Sequence, residues 1–127
     1  MEDILLDTDV IIEYLRTKDK SKTLLIDLLK KYNLFLSPIT EFELFIGAKT
    51  IQHKKDIEMI FNEVQIIPFD FGCGEIAARI WNNLKEKHQS CEIRDIFMAS
   101  IAIHKNIMLC TFNKKHFKNI KDIKIWE

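Results

Sequence analysis

The stretch ILLDTDVIIEYL, residues 4–15, decides the fold class of this chain. Residues 4–6 form a short apolar run that is typical of a buried strand, and Asp7 follows directly. Apolar residues then recur at helical spacing over residues 10–15, behind Asp9, a residue type that often caps helices. The stretch therefore predicts a strand, a polar residue at its end, and a helix.

The same arrangement recurs along the chain. Glu43 lies shortly after the apolar run at residues 35–38, and Asp95 opens the most apolar helical pattern. Asn113 follows a third run, at residues 107–110. Short strands separated by helices predict a mostly parallel central sheet with helices on both faces, in a three-layer α/β/α domain. Ligands bind at the carboxyl ends of such strands, so we expect these polar residues to converge.

Length and composition agree with this architecture. The 127 residues are 47% hydrophobic and 30% charged, which predicts one globular domain spanning residues 1–127. Lys plus Arg and Asp plus Glu balance at 19 each, so a surface for nucleic acid must be a local patch. Three isolated cysteines favour a reducing compartment, and no apolar run approaches the ~18 residues of a membrane span. We therefore expect a cytoplasmic protein without a membrane segment.

Four segments carry a family resemblance: ILLDTDVIIEYL, LSPITEFELFIGA, RDIFMASIAI, and MLCTFNKKHF followed by IKIW. In this order and spacing they resemble the PIN domain, specifically the VapC-type ribonuclease toxins of toxin-antitoxin modules. The resemblance assigns the three acids and the fourth, variable polar position of the family to Asp7, Glu43, Asp95 and Asn113. Thr40 and Thr111 match small hydroxyl residues near the family's site. Asp9 departs from the Asn or Ser that is common there, and Asn113 departs from the frequent Asp.

The resemblance implies a metal-dependent endoribonuclease that hydrolyses RNA phosphodiesters with Mg²⁺ or Mn²⁺. These ions prefer oxygen ligands, and clustered carboxylates repel one another without a cation. We expect Asp7 and Asp95 to hold the metal, Glu43 to bind it or to position and deprotonate water, and Asn113 to bind through water. A basic run past that position could grip phosphates or be a solvated surface: Lys114, Lys115, His116 and Lys118.

Several of these residues have a structural alternative. Asp9 is expected mainly to cap the first helix, whereas Asp7 is expected to be poorly placed as a cap and to bind metal. Glu43 could complete a capping box with Thr40. Glu92 is expected to be an exposed loop acid. Asp95 could instead complement its helix dipole, and Asn113 could be a turn residue.

Two other functions remain open. The pattern Asp7-Thr8-Asp9 after a strand also resembles the nucleophile and acid pair of haloacid dehalogenase-type phosphotransferases. That family also requires a downstream lysine and a late acidic pair, whereas the last predicted strand here leads to Asn113. A non-catalytic binding module with the PIN fold is the other alternative, and intact acids argue against it.

The resemblance also implies partners. We expect an RNA substrate and a cognate antitoxin protein. We also expect the chain to form a homodimer or a toxin-antitoxin hetero-oligomer. The antitoxin peptide is expected in an apolar groove between the early helices. Core packing is the alternative for the candidate groove residues, which are Tyr14, Leu15, Phe42, Phe45 and Ile46.

Overall fold

A four-stranded sheet forms the centre of the molecule in a computed structural model that describes residues 1–127. The strands are β1 (Glu2–Leu6), β2 (Tyr32–Leu36), β3 (Gln65–Ile66) and β4 (Met108–Cys110). The helices are α1 (Thr8–Arg16), α2 (Leu24–Leu29), α3 (Pro38–Gly47), α4 (Ile51–Glu63), α5 (Cys73–Glu86) and α6 (Ile93–Lys105). All strand pairs are parallel, in the order β3-β2-β1-β4, which confirms the predicted parallel sheet.

The two faces of the sheet are covered by different helices. Ile4 and Leu6 of β1 pack into a core with α1, α2, α3 and α4, whereas Leu5 packs with α5 and α6 on the other face. Side chains alternate across a strand, so the apolar run Ile4–Leu6 of β1 buries residues on both faces, and each buried side chain contributes about 1.5–3 kcal/mol. The fold is therefore the predicted three-layer α/β/α sandwich.

Short connections bring the first strand and helix directly to the edge of the sheet. The Asp7 amide donates to the Cys110 carbonyl at 2.9 Å, which extends the β1–β4 ladder to the residue that precedes α1. Near the C-terminus, Ile125 forms only an isolated parallel bridge to Leu109 of β4, in which the Leu109 amide donates to the Lys124 carbonyl and the Trp126 amide donates to the Leu109 carbonyl. No helix has the length and apolarity needed to span a membrane.

Candidate active site

Three acids from different elements meet at the carboxyl edge of the sheet. Asp7 follows β1, Glu43 lies on α3, and Asp95 lies in the first turn of α6. Asp7 and Asp95 are only 3% and 2% exposed, while Glu43 is half-buried. Burying carboxylates this deeply is costly unless a cation or hydrogen bonds compensate their charge.

One guanidinium contacts all three acids. Arg94 Nη2 lies 2.8 Å from Asp7 Oδ1 and 2.7 Å from Glu43 Oε1, and Nη1 lies 2.6 Å from Asp95 Oδ1. Nε donates to Glu43 Oε2 at 3.1 Å. The three carboxylates therefore surround a single position for positive charge, and in this structure the side chain of Arg94 supplies that charge.

Sequence reasoning missed Arg94. Burial by itself would lower the pKa of this guanidinium, but its hydrogen bonds to Glu43 and Asp7 outweigh that effect and raise the pKa above the ordinary value. The side chain therefore stays charged at every pH at which the protein is folded. The one sequence feature that could have indicated this role is that Arg94 directly precedes Asp95. A basic residue beside a candidate metal ligand can neutralise the same acids as the metal.

Asp7, and not Asp9, caps the first helix. Asp7 is the N-cap of α1, and its Oδ1 accepts from the Thr8 amide at 2.8 Å. Asp9 lies in the first turn, and its Oδ2 accepts from the Phe112 amide at 3.1 Å and from Asn113 Nδ2 at 3.0 Å. The prediction that Asp9 caps the helix is wrong, because α1 begins one residue after Asp7 and leaves Asp9 inside it.

Asp9 has an unsatisfied oxygen beside the acid cluster. Its Oδ1 is buried without a hydrogen-bond partner, and burial, followed by the charge of Asp7, raises the pKa of its carboxyl. Thr111 joins the two acids, since its Oγ1 lies 2.8 Å from Asp7 Oδ2 and 3.2 Å from Asp9 Oδ2. A buried acceptor without a donor marks a place where a cation or a water would be stabilising.

Glu43 is oriented by hydroxyl groups and is not part of a capping box. Ser37 caps α3 by accepting from the Thr40 amide at 3.3 Å, which rules out the alternative of a Thr40–Glu43 capping box. Pro38 at the first helical position moves the helix start upstream of Thr40. The Thr40 hydroxyl instead lies 2.9 Å from Thr8 Oγ1, which donates to Glu43 Oε1 at 2.6 Å. These hydroxyls aim the carboxylate at the cluster.

An open pocket with basic residues lies beside Asp95. Burial raises the pKa of this carboxyl, although its bond to Arg94 opposes the shift. His116 Nδ1 is 3.7 Å from Asp95 Oδ2, and both line the pocket together with Lys115, Lys118 and the exposed acid Glu92. Lys114 turns away and pairs with Glu127 at 2.6 Å. The predicted basic run therefore divides between this pocket and the C-terminus.

The model of the PIN domain family matches residues 4–123 of the chain. The chain belongs to the PIN domain family. This PIN domain is 32% identical over 128 residues to Ribonuclease VapC1 of Methanocaldococcus jannaschii, covering 98% of this chain and 87% of the relative. It is 25% identical over 130 residues to Ribonuclease VapC of Rickettsia bellii, covering 96% and 93% of the two chains.

A solved structure shows the same fold as this PIN domain. The crystal structure of VapBC2 from Rickettsia felis, bound to a DNA fragment from their promoter, superposes with a TM-score of 0.85. The match covers 98% of this chain and 99% of the other at 24% sequence identity. The family model and the 32% identical relative confirm the PIN domain family predicted from the four sequence segments, and this structure confirms the fold.

Proposed function

We propose that this PIN domain, residues 1–127, is a metal-dependent endoribonuclease that hydrolyses RNA phosphodiesters, and that it is the toxin of a type II toxin-antitoxin system. The observation that carries the proposal is the convergence of Asp7, Glu43 and Asp95 on one position for a cation. Its relatives in the family include two ribonucleases of similar length, which supports RNA as the substrate.

The acid cluster fits a hard divalent ion, Mg²⁺ or Mn²⁺. Its donors are carboxylate oxygens, and Asp9 Oδ1 adds a buried acceptor without a partner. Asp7 and Asp95 would hold the ion directly. Arg94 now binds the oxygens that direct coordination requires, so its guanidinium must leave at least part of the cluster. The bound ion would lower the pKa of a water and neutralise charge on the scissile phosphodiester.

The other residues would act on the water, the phosphates and the acids. Glu43, oriented by the Thr8 hydroxyl, is placed to bind the ion or to accept the proton of the attacking water. Asn113 donates to Asp9, so we propose that it positions that carboxylate and acts on the ion only indirectly. Lys115 and Lys118 beside the Asp95 pocket would contact RNA phosphates.

An apolar surface next to Glu43 supports an antitoxin as partner. Phe42 and Ile46 on α3 are 66% and 58% exposed, more than core residues would be. A groove lined by Leu15, Leu44 and other side chains of α1, α3 and α4 reaches Glu43. We propose that an antitoxin segment covers this surface and Glu43, and that the chain works as a homodimer or in a toxin-antitoxin hetero-oligomer. Light scattering with and without the antitoxin would determine the assembly.

Nothing in the site favours the phosphotransferase alternative. The two Asp7 oxygens, one of which would have to attack a phosphate, accept from Arg94 Nη2 and Thr111 Oγ1, and Asp9 Oδ2 accepts from the Phe112 amide and from Asn113. A phosphorylated Asp7 isolated after incubation with a phosphate donor would nevertheless establish that chemistry.

Expression in cells tests the proposed function directly. The chain is expressed alone, with whatever small protein is encoded next to it, and as Asp95→Asn, and the ends of cellular RNAs are sequenced. New RNA ends should appear with the chain alone and disappear both with the neighbour and with Asp95→Asn. The same new ends in the Asp95→Asn sample would contradict cleavage at this site.

A further inference from the structure

A second group of metal-ligand side chains lies at the opposite end of α6 from the acid cluster. It consists of Asp70 before α5, Cys73 at the start of α5, and His104 in the last turn of α6. His104 lies nine positions after Asp95 in α6, which is about 13.5 Å along the helix axis. The group is therefore separate from the proposed catalytic centre.

The geometry of these three side chains matches a small coordination sphere. Asp70 Oδ1 lies 3.6 Å from Cys73 Sγ and 3.9 Å from His104 Nε2, and the three ligand atoms all lie within 4.8 Å of one another. A tetrahedral ion with bonds of about 2.0–2.3 Å separates its ligand atoms by roughly 3.3–3.8 Å. Small side-chain adjustments would bring the three atoms to bonding distance of one ion.

A glycine turn creates the space for the histidine. The Cys73 amide donates to the Asp70 carbonyl at 3.1 Å, which closes a tight turn with Gly72 at φ 100°. A Cβ at Gly72 would lie only 2.6 Å from His104 Cε1. Only glycine suits both this φ and this contact. The absence of a Cβ at Gly72 therefore allows the imidazole to lie beside the carboxylate and the thiol.

We propose that Asp70, Cys73 and His104 bind a zinc-class divalent ion, with water as the fourth ligand. Thiolate and imidazole ligands favour Zn²⁺ over Mg²⁺, which prefers oxygen, so this site and the acid cluster would select different metals. The bound ion would fasten the turn before α5 to the end of α6. This inference does not depend on the proposed ribonuclease activity.

The local electrostatics support a cation at this place, with one opposing charge. The C-terminal end of α6 carries negative partial charge near His104, which favours a cation. The positive charge of Lys105 opposes binding of a cation. Its Nζ, however, lies 3.4 Å from Asp70 Oδ2, so Asp70 Oδ1 remains available to the ion. Burial also raises the pKa of the Cys73 thiol, so the ion must displace the thiol proton when it binds.

Cobalt(II) is the probe, because its bond to a thiolate gives a charge-transfer absorption in the near ultraviolet. The intact chain should take up one Co²⁺ with this band, and Zn²⁺ should displace it. Cys73→Ser should abolish the band, whereas the matched control Cys91→Ser and the catalytic variant Asp95→Asn should retain it. His104→Gln, a change at a partly exposed position that should not disturb folding, should weaken Co²⁺ binding by about 100-fold or more.

The results separate this site from the catalytic one. Zn²⁺ should raise the Tm of the wild type by roughly 5 °C or more at saturation and should raise that of His104→Gln much less, while both cleave RNA equally with Mg²⁺. Absence of the band from the wild type, or an undiminished band in Cys73→Ser, would overturn the proposal. A Zn²⁺ shift of equal size in His104→Gln would overturn it as well.

Discussion

Replacing Arg94 with Met should reveal whether a metal ion and the guanidinium compete for the same oxygens. Met keeps an unbranched apolar stem of similar length but removes the charge shared by Asp7, Glu43 and Asp95. The Asp7 and Asp95 side chains are only 4% and 3% exposed and that of Arg94 is 24% exposed, so solvent screens these ion pairs weakly. Breaking a buried pair by removing one partner costs about 3–5 kcal/mol.

That loss should depend on metal. Without divalent ions, Arg94→Met should lower the free energy of unfolding by about 3–5 kcal/mol, because three carboxylates then lack a counter-ion. With Mg²⁺ at about 100 times its dissociation constant, binding should return about 2.7 kcal/mol to the variant. The wild type should gain less, because Mg²⁺ must first displace the guanidinium.

Urea denaturation measures this difference. Wild type, Arg94→Met and the exposed control Arg79→Met are unfolded in EDTA and in saturating Mg²⁺. Arg79→Met should stay within about 0.5 kcal/mol of wild type in both solutions. Arg94→Met should show a much smaller deficit in Mg²⁺ than in EDTA. An equal deficit in the two solutions would refute the idea that the ion and Arg94 share one position.

Three further substitutions test individual acids. Asp7→Asn keeps an oxygen for the Thr8 amide, so it should change Tm by only a few degrees yet abolish Mg²⁺-dependent cleavage in a gel assay. Glu43→Gln keeps the acceptor for the Thr8 hydroxyl but cannot take a proton, so the single-turnover rate should fall about 100-fold or more, and an unchanged rate would exclude a catalytic role. Asp9→Asn should raise the Tm of the metal-free protein at pH 7 and weaken Mg²⁺ binding by calorimetry, because it removes a desolvated charge beside Asp7. Because the pKa of Asp9 is raised, the wild-type carboxyl becomes protonated and neutral as pH falls through that pKa. The difference in Tm between wild type and Asp9→Asn should therefore disappear at low pH. A difference in Tm that does not change with pH would contradict this reasoning.

The overall fold could be predicted from the sequence because its signals are local and agree with one another. The wholly apolar run of β1 predicts a strand that is buried on both faces, and the alternation of such runs with helical patterns predicts crossovers. The sequence could not show how many residues around Ile125 pair with the sheet. A single bridge and a short strand have the same apolar pattern.

The candidate site was only partly predictable, for a different reason. Asp7 and Glu43 come after strands and Asp95 opens an apolar helix, so these acids could be found by position. Their hydrogen-bond partners could not, because they depend on where each helix begins, and that start shifts by two or three residues. That shift makes Asp7 the cap in place of Asp9, and Ser37 the cap in place of Thr40. Arg94 could not be assigned from spacing, because its contacts depend on tertiary packing between α6, α3 and the end of β1.

Whether the acid cluster is a metal-dependent ribonuclease site is decided by the single-turnover rate of RNA cleavage in saturating Mg²⁺, measured for wild type and Asp95→Asn. Asp95→Asn preserves the size of the side chain and one oxygen for Arg94. It leaves Asp7 as the one fully buried carboxylate of the cluster, so the buried negative charge available to the ion falls by half. The account predicts cleavage by wild type that stops in EDTA, and a rate for the variant lower by about 100-fold or more. Equal cleavage by the two proteins, both folded and in the same Mg²⁺, would contradict a metal-dependent ribonuclease site at these acids.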